Sequence, residues 1–279
     1  MGFKCIFVME MPGELELILE RSAALGVRPL LGVRVKLITK GSGHWAGSCG
    51  ERSAFGLTTA QVVDIVDTLK QHDMLDCLQL LHYHLGSQVP NIRDIRTAVM
   101  ESTRVYAGLV QEGAKMGYLD LGGGLGIRYR DEEPPTPTTY LKPLLDCFAG
   151  RDEALCFEPG RSLVGNAGLL LTRIEYLKPG IEKNFAIIDA AMNDLVRPAL
   201  YDAYHEIVAV APRDLPATRY EVVGPICESG DFLGHDRDLS VAPGDLLAIL
   251  SAGAYGMTMS SNYNTRPRAA EVLVDGDTV

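Results

Sequence analysis

A single tryptophan stands among 279 residues, aromatic side chains make up only 7%, and 26 lysines and arginines face 36 aspartates and glutamates. The resulting formal charge of −10 argues against a nucleic-acid or anionic-membrane partner. No apolar run reaches the length of a membrane span, and Met1-Gly2-Phe3-Lys4-Cys5 opens neither a signal peptide nor a myristoylation pattern. A cytoplasmic protein is expected. The six cysteines are scattered, with no CxxC pair and no histidine spacing for zinc, so reduced thiols and no metal are expected. Internal repeats and low-complexity segments are also missing, although residues 132–137 form a Pro-rich surface loop.

The length suffices for two ordinary cores. In the front part, apolar runs at 5–10, 29–35, 78–84, 119–124 and 155–158 read as strands. Helical spacing follows Pro12, Thr58-Thr59 can cap a second helix, and 92–110 and 138–148 read as two more. Residues 39–50 are rich in Gly and Ser and read as a loop. Such alternation predicts a parallel sheet with its site at the carboxyl ends of the strands. After Ser162 the texture changes. Runs at 169–177, 185–189, 220–223, 246–251 and 269–274 read as short strands separated by Pro and Gly, with one helical insert near 195–203. This predicts an all-β second domain, with the division placed at 1–165 and 166–279.

Two words stand at the ends of strand-like runs. Gly122-Gly123-Gly124-Leu125-Gly126 closes one, and Glu158-Pro159-Gly160-Arg161 follows another. Glycines there let backbone N–H groups approach an anion, Arg161 adds a fixed charge, and Glu158 can keep a heterocyclic nitrogen protonated. The pattern fits a phosphorylated, ring-bearing cofactor. Either word alone also fits a tight connection with a surface ion pair.

Longer words carry a resemblance. Leu81-His82-Tyr83-His84-Leu85-Gly86-Ser87-Gln88, Asn91-Ile92-Arg93-Asp94-Ile95 and Gly41-Ser42-Gly43-His44-Trp45 resemble biosynthetic arginine decarboxylase. Asp120 to Tyr129, Arg197-Pro198-Ala199-Leu200-Tyr201, Cys227-Glu228-Ser229-Gly230-Asp231 and Ala252-Gly253-Ala254-Tyr255-Gly256 resemble diaminopimelate decarboxylase. Both belong to the pyridoxal-phosphate decarboxylases of the alanine-racemase-like fold. The resemblance implies an α/β chain in which an incomplete (β/α)8 barrel precedes a Greek-key-like β-barrel, the two halves joined as a chimera. It also implies that three barrel strands precede Met1, the first bearing the lysine that attaches the cofactor. No Lys-Ala-Asn or Lys-Val-Asn word occurs in this sequence.

By the same resemblance, pyridoxal 5'-phosphate is the cofactor. Glu158 partners its ring nitrogen, His84 stacks on the ring, and Ser87, Gly124, Gly160, Arg161 and Tyr255 hold the phosphate. Cys227 is the proton donor to the substrate carbon, supplied across a homodimer interface; an ordinary thiol pKa near ~8.5 suits that task. Arg161, Arg197, Tyr201, Glu228 and Tyr255 surround the amino-acid substrate. His82, two residues before His84, is expected one layer deeper, in the core. A second arginine repels a guanidinium substrate, so meso-diaminopimelate, giving L-lysine, is preferred over L-arginine, giving agmatine. A non-catalytic cofactor-binding or interaction module is the reading from another class, and little activity is expected without the lysine.

Overall fold

The computed structural model describes residues 3–39, 53–89, 91–276 and 278. The Gly41 to Trp45 word and most of the loop expected at 39–50 lie outside them. The chain divides into two compact units, Met1–Gly126 with Glu133–Pro159, and Ile127–Glu132 with Gly160–Val279. The division therefore falls after Pro159 rather than after residue 165, and a short excursion at Ile127–Glu132 belongs with the second unit.

In the first unit, β1 (Ile6–Met9), β2 (Leu30–Arg34), β3 (Leu78–His82), β4 (Tyr118–Asp120) and β5 (Ala154–Cys156) form one sheet in sequence order. All four pairings are parallel. Helices α1 (Pro12–Leu25), α2 (Thr59–Gln71), α3 (Ile92–Gln111) and α4 (Pro137–Cys147) make the connections. Their boundaries follow local chemistry. Pro12 sits in the first turn of α1 and Gly26 ends it in the left-handed region at φ 64°. Thr58 and Gln61 form a reciprocal capping box on α2, while Asn91 caps α3 and Thr136 caps α4. Leu31, Val33, Leu78, Leu81 and Leu119 are fully buried and centre the core. Strands this apolar suit a parallel sheet covered on both faces.

The second unit holds a mixed sheet of six strands in the order β10-β9-β7-β6-β11-β8. They are β6 (Leu170–Lys178), β7 (Asn184–Ile188), β8 (Ile207–Ala209), β9 (Thr218–Val223), β10 (Phe232–Leu239) and β11 (Leu246–Ile249). Two short helices, α5 (Arg161–Val164) and α6 (Arg197–Tyr201), precede β6 and β8. Ile174, Ala186, Ile188, Val222, Leu233, Leu247 and Ile249 make its core. The strand expected at 269–274 is absent: the segment has no sheet partner, and Val272, Leu273 and Val274 are exposed. Two strands were not expected, β8 because it is three residues long and β10 because Gly234, His235 and Asp236 interrupt its alternation.

Candidate functional site

In the first unit, strand register builds a polar row. Arg34 pairs with His82, His82 with Asp120, and Asp120 with Cys156, so the four lie level at the carboxyl ends of β2 to β5. Partners in register share a face of the sheet. His82 Nδ1 lies 3.2 Å from Asp120 Oδ2, and its Nε2 lies 3.9 Å from Glu158 Oε2. Asp120 Oδ1 accepts from the Gly122 N–H at 3.0 Å. Burial opposes ionisation of Asp120, yet the adjacent His82 ring and the Gly122 N–H outweigh it and hold the carboxyl below its ordinary range. His82 is thus buried, as expected of a core residue, but it also stands at the carboxyl end of its strand, level with Arg34 and Asp120.

His84 follows two residues later, with Nδ1 accepting from the Gly123 N–H at 3.3 Å. Burial pushes its pKa down, and the nearby Arg34 and His82 add to the effect. A neutral ring with its proton on Nε2 results. Close backbone approach makes this packing possible. A Cβ on Gly123 would stand 2.4 Å from the Glu158 carbonyl oxygen, and one on Gly122, at φ +65°, 2.6 Å from the Tyr83 carbonyl oxygen. The glycines here serve the approach of one loop to another, with the Gly122 and Gly123 N–H groups already engaged by Asp120 and His84. Half-buried Ser87 lies in the loop after β3, and Gly124, at φ +120°, in the loop after β4. Arg34, Phe55, His82, His84 and Glu158 line a cavity of about 310 Å³. His82, Asp120 and Glu158 also form the one cluster of metal-binding type among the described residues, their donor atoms within 4.8 Å of one another.

In the second unit, two buried guanidinium groups share an aromatic ring. Arg161 Cζ lies 5.7 Å and Arg197 Cζ 4.6 Å from the centroid of Tyr129, and Arg161 also faces the ring of Tyr255 at 4.8 Å. Burial lowers the Arg197 pKa, and Arg161 lowers it further against the opposing influence of Tyr129. Tyr255 sits at φ 57°, a left-handed conformation that costs a non-glycine residue on the order of 1 kcal/mol. Such strain concentrates where a side chain must be aimed. Gly160 precedes Arg161 with open space around it, and half-buried Tyr201 ends α6. Cys227 and Glu228 are exposed on the loop between β9 and β10. Buried Asp231 anchors that loop, accepting from the N–H groups of Met192 at 2.7 Å and Ile226 at 2.8 Å.

The expected residues therefore fall into three groups: His84, Ser87, Gly124 and Glu158 on the loops after β3, β4 and β5; Gly160, Arg161, Arg197, Tyr201 and Tyr255 in the second unit; and Cys227 with Glu228 on a loop of their own. Arg34, Asp120, Tyr129 and His205 were not singled out from sequence. Arg34 and Asp120 carried a signal, since each is a charged residue closing an apolar run.

A family model described as "Pyridoxal-dependent decarboxylase, C-terminal sheet domain" matches residues 7–253. The chain belongs to the pyridoxal-dependent decarboxylases. It is 48% identical over 277 residues to a diaminopimelate decarboxylase of Pseudomonas aeruginosa, covering 99% of this chain and 66% of that protein. It is also similar to the crystal structure of diaminopimelate decarboxylase from Helicobacter pylori complexed with L-lysine, at 32% identity and a TM-score of 0.86 over 93% of this chain and 65% of that one. The arginine decarboxylase of Paramecium bursaria Chlorella virus, at 20% identity and a TM-score of 0.77 over 93% of this chain and 68% of that one, shares the fold. The chain spans slightly less than two thirds of the length of the curated relatives it matches, 62–66% of each. Both its front and rear halves align with those relatives, so the front half has relatives other than arginine decarboxylases.

Proposed function

We propose that this chain is the greater part of a pyridoxal-phosphate-dependent decarboxylase that converts meso-diaminopimelate to L-lysine and CO₂. The observation that carries the choice of substrate is the buried Arg197, which has no carboxylate in ion-pair range among the described residues. Together with Arg161 it suits a distal carboxylate, which diaminopimelate has and arginine lacks. A guanidinium substrate would meet like charge in a partly desolvated place, at a cost of roughly a few kcal/mol. The 48% identity to a diaminopimelate decarboxylase supports the same choice.

The residues fit the cofactor. A cavity of about 310 Å³ bordered by a flat neutral imidazole and a carboxylate is of the size and character a substituted pyridine ring needs. When bound, pyridoxal phosphate supplies an electron sink for the charge left behind by CO₂. Glu158 holds a proton at the ring nitrogen, and the His84 ring stacks on the pyridine. Ser87, Gly124, Gly160, Arg161 and Tyr255 hold the phosphate. Cys227 holds the proton that returns to the substrate carbon, and its exposure suits a loop that serves the partner protomer of a homodimer. Tyr201, Glu228 and Tyr255 orient the substrate, Glu228 through its distal ammonium.

Among the described residues, none that lines the cavity is a lysine able to attach the cofactor. The full chain should then bind the cofactor without covalent attachment and release no CO₂. Borohydride trapping followed by peptide mapping tests this, and stoichiometric labelling of any lysine of this chain with turnover of diaminopimelate would refute it. Arg161→Ala should weaken cofactor binding by roughly 2–5 kcal/mol, and unchanged affinity removes Arg161 from the site. Tighter binding of L-arginine than of meso-diaminopimelate would overturn the substrate assignment. Sedimentation equilibrium tests the dimer, which a monomer at all concentrations would exclude.

A further inference from the structure

Within the second unit, His205 stands directly behind Arg197. Its side chain is fully buried. Arg197 Nη1 lies 3.0 Å from His205 Nε2, and His205 Nδ1 lies 2.8 Å from the Leu250 carbonyl oxygen. A carbonyl oxygen only accepts and a guanidinium only donates. The proton must therefore sit on Nδ1, the lone pair on Nε2, and the ring must be neutral. The Tyr129 ring meets His205 edge-on at 5.5 Å, which fixes the imidazole plane from a second side. Arg237 donates through Nη2 to the His205 carbonyl oxygen at 3.0 Å, which fixes the backbone beneath it.

We propose that His205 is a positioning residue for Arg197: an uncharged acceptor that fixes a buried guanidinium without cancelling its charge, so that the whole charge is kept for a substrate carboxylate. A carboxylate at this position would orient Arg197 equally well but would neutralise it. A hydroxyl would lack the reach to hold both the Leu250 carbonyl and the guanidinium. The groups facing the imidazole agree. Burial pushes its pKa down to about 4, and the cations Arg197, Arg237 and Arg161 act in the same direction against the bond to Leu250. The ring stays neutral across the range in which Arg197 would bind an anion.

The inference rests on the reading of Arg197 as the distal-carboxylate site, and two measurements separate the two. In ¹⁵N-histidine NMR of the full chain, His205 should show the Nδ1–H tautomer and remain neutral at pH 6; an Nε2–H tautomer or an imidazolium at that pH overturns the proposal. In calorimetry on the full chain incubated with pyridoxal phosphate, L-lysine, which keeps the distal carboxylate, should bind at least tenfold more tightly than cadaverine, which lacks it. His205→Gln, whose amide can both accept and donate, should keep that ratio within about threefold, whereas His205→Glu should reduce it at least tenfold. A wild-type ratio near one refutes the Arg197 reading and the proposal with it. A wild-type ratio of ten or more that His205→Glu leaves intact overturns the role of His205 alone, as does an equal loss for both ligands.

Discussion

Gly123→Ala tests the close approach on which the first cluster depends. The added Cβ would stand 2.4 Å from the Glu158 carbonyl oxygen, where ordinary contact begins near 3.4 Å. Because the opposing atom is backbone, no rotamer change relieves it, and one chain must move by about 1 Å. Glu158 has little slack, since its N–H donates to the Gly122 carbonyl oxygen at 2.9 Å. Overpacking of this kind costs about 1–3 kcal/mol of stability. If Glu158 partners the cofactor as proposed, a displacement of that size also lowers productive geometry by on the order of a hundredfold. Gly108→Ala in α3 is the control, because nothing lies within 4 Å of the new methyl there; it should stabilise by about 0.5–1 kcal/mol through helix propensity. Urea unfolding gives the stabilities and fluorescence titration gives the affinity for pyridoxal phosphate. If Gly123→Ala matches wild type in both, the loops are not held at the spacing described and the argument fails.

Glu221 is 2% exposed and pairs with Lys183 at 2.8 Å and with His235. Burial opposes its ionisation, but the bonds from Lys183 and His235 outweigh it and depress its pKa. A depressed carboxyl contributes stability that is complete above its unfolded pKa, ~4.3, and fades as pH falls through the folded value. Glu221→Gln should therefore destabilise at pH 7 and converge with wild type in acid, which denaturant unfolding across pH 3–7 measures. Thr58→Ala should cost about 0.5–2 kcal/mol by removing the bond that Gln61 N–H donates to Thr58 Oγ1; hydrogen exchange in the first turn of α2 should rise with it. Leu119→Ala, at a fully buried position of β4, should cost about 2–5 kcal/mol in urea unfolding.

The strand and helix pattern of the first unit is legible because its signals are local. Apolar runs of four to seven residues, Pro12 and Thr58 each act within a turn or two of where they stand. The second unit is less legible because its pairings are distant. The run at 269–274 has the composition of a strand and no partner, whereas β10 has partners and a composition that hides it. The site divides the same way. His84, Glu158 and Arg161 stand in recognisable words. Asp120 and Arg34 become part of a site only through register across three strands, which no single stretch of sequence contains. His205 is recognisable only once Arg197 and the Leu250 carbonyl are known to flank it.

The two sheets differ in how they can be assembled in time. In the first, every strand hydrogen-bonds to the strand that precedes or follows it along the chain, so the sheet can grow one strand at a time as the polypeptide lengthens. In the second, Leu246 pairs with Arg173 and Ile249 with Ile207, so the strand that joins β6 to β8 arrives last of all. Closing loops of that length is what makes folding slow. During synthesis the first unit can be complete while β6, whose Leu171 and Tyr176 remain exposed even in the finished fold, still waits for its second neighbour. The slow refolding phase should belong to the second unit, and the interval before β11 docks is when the chain is most open to pairing with another copy of itself.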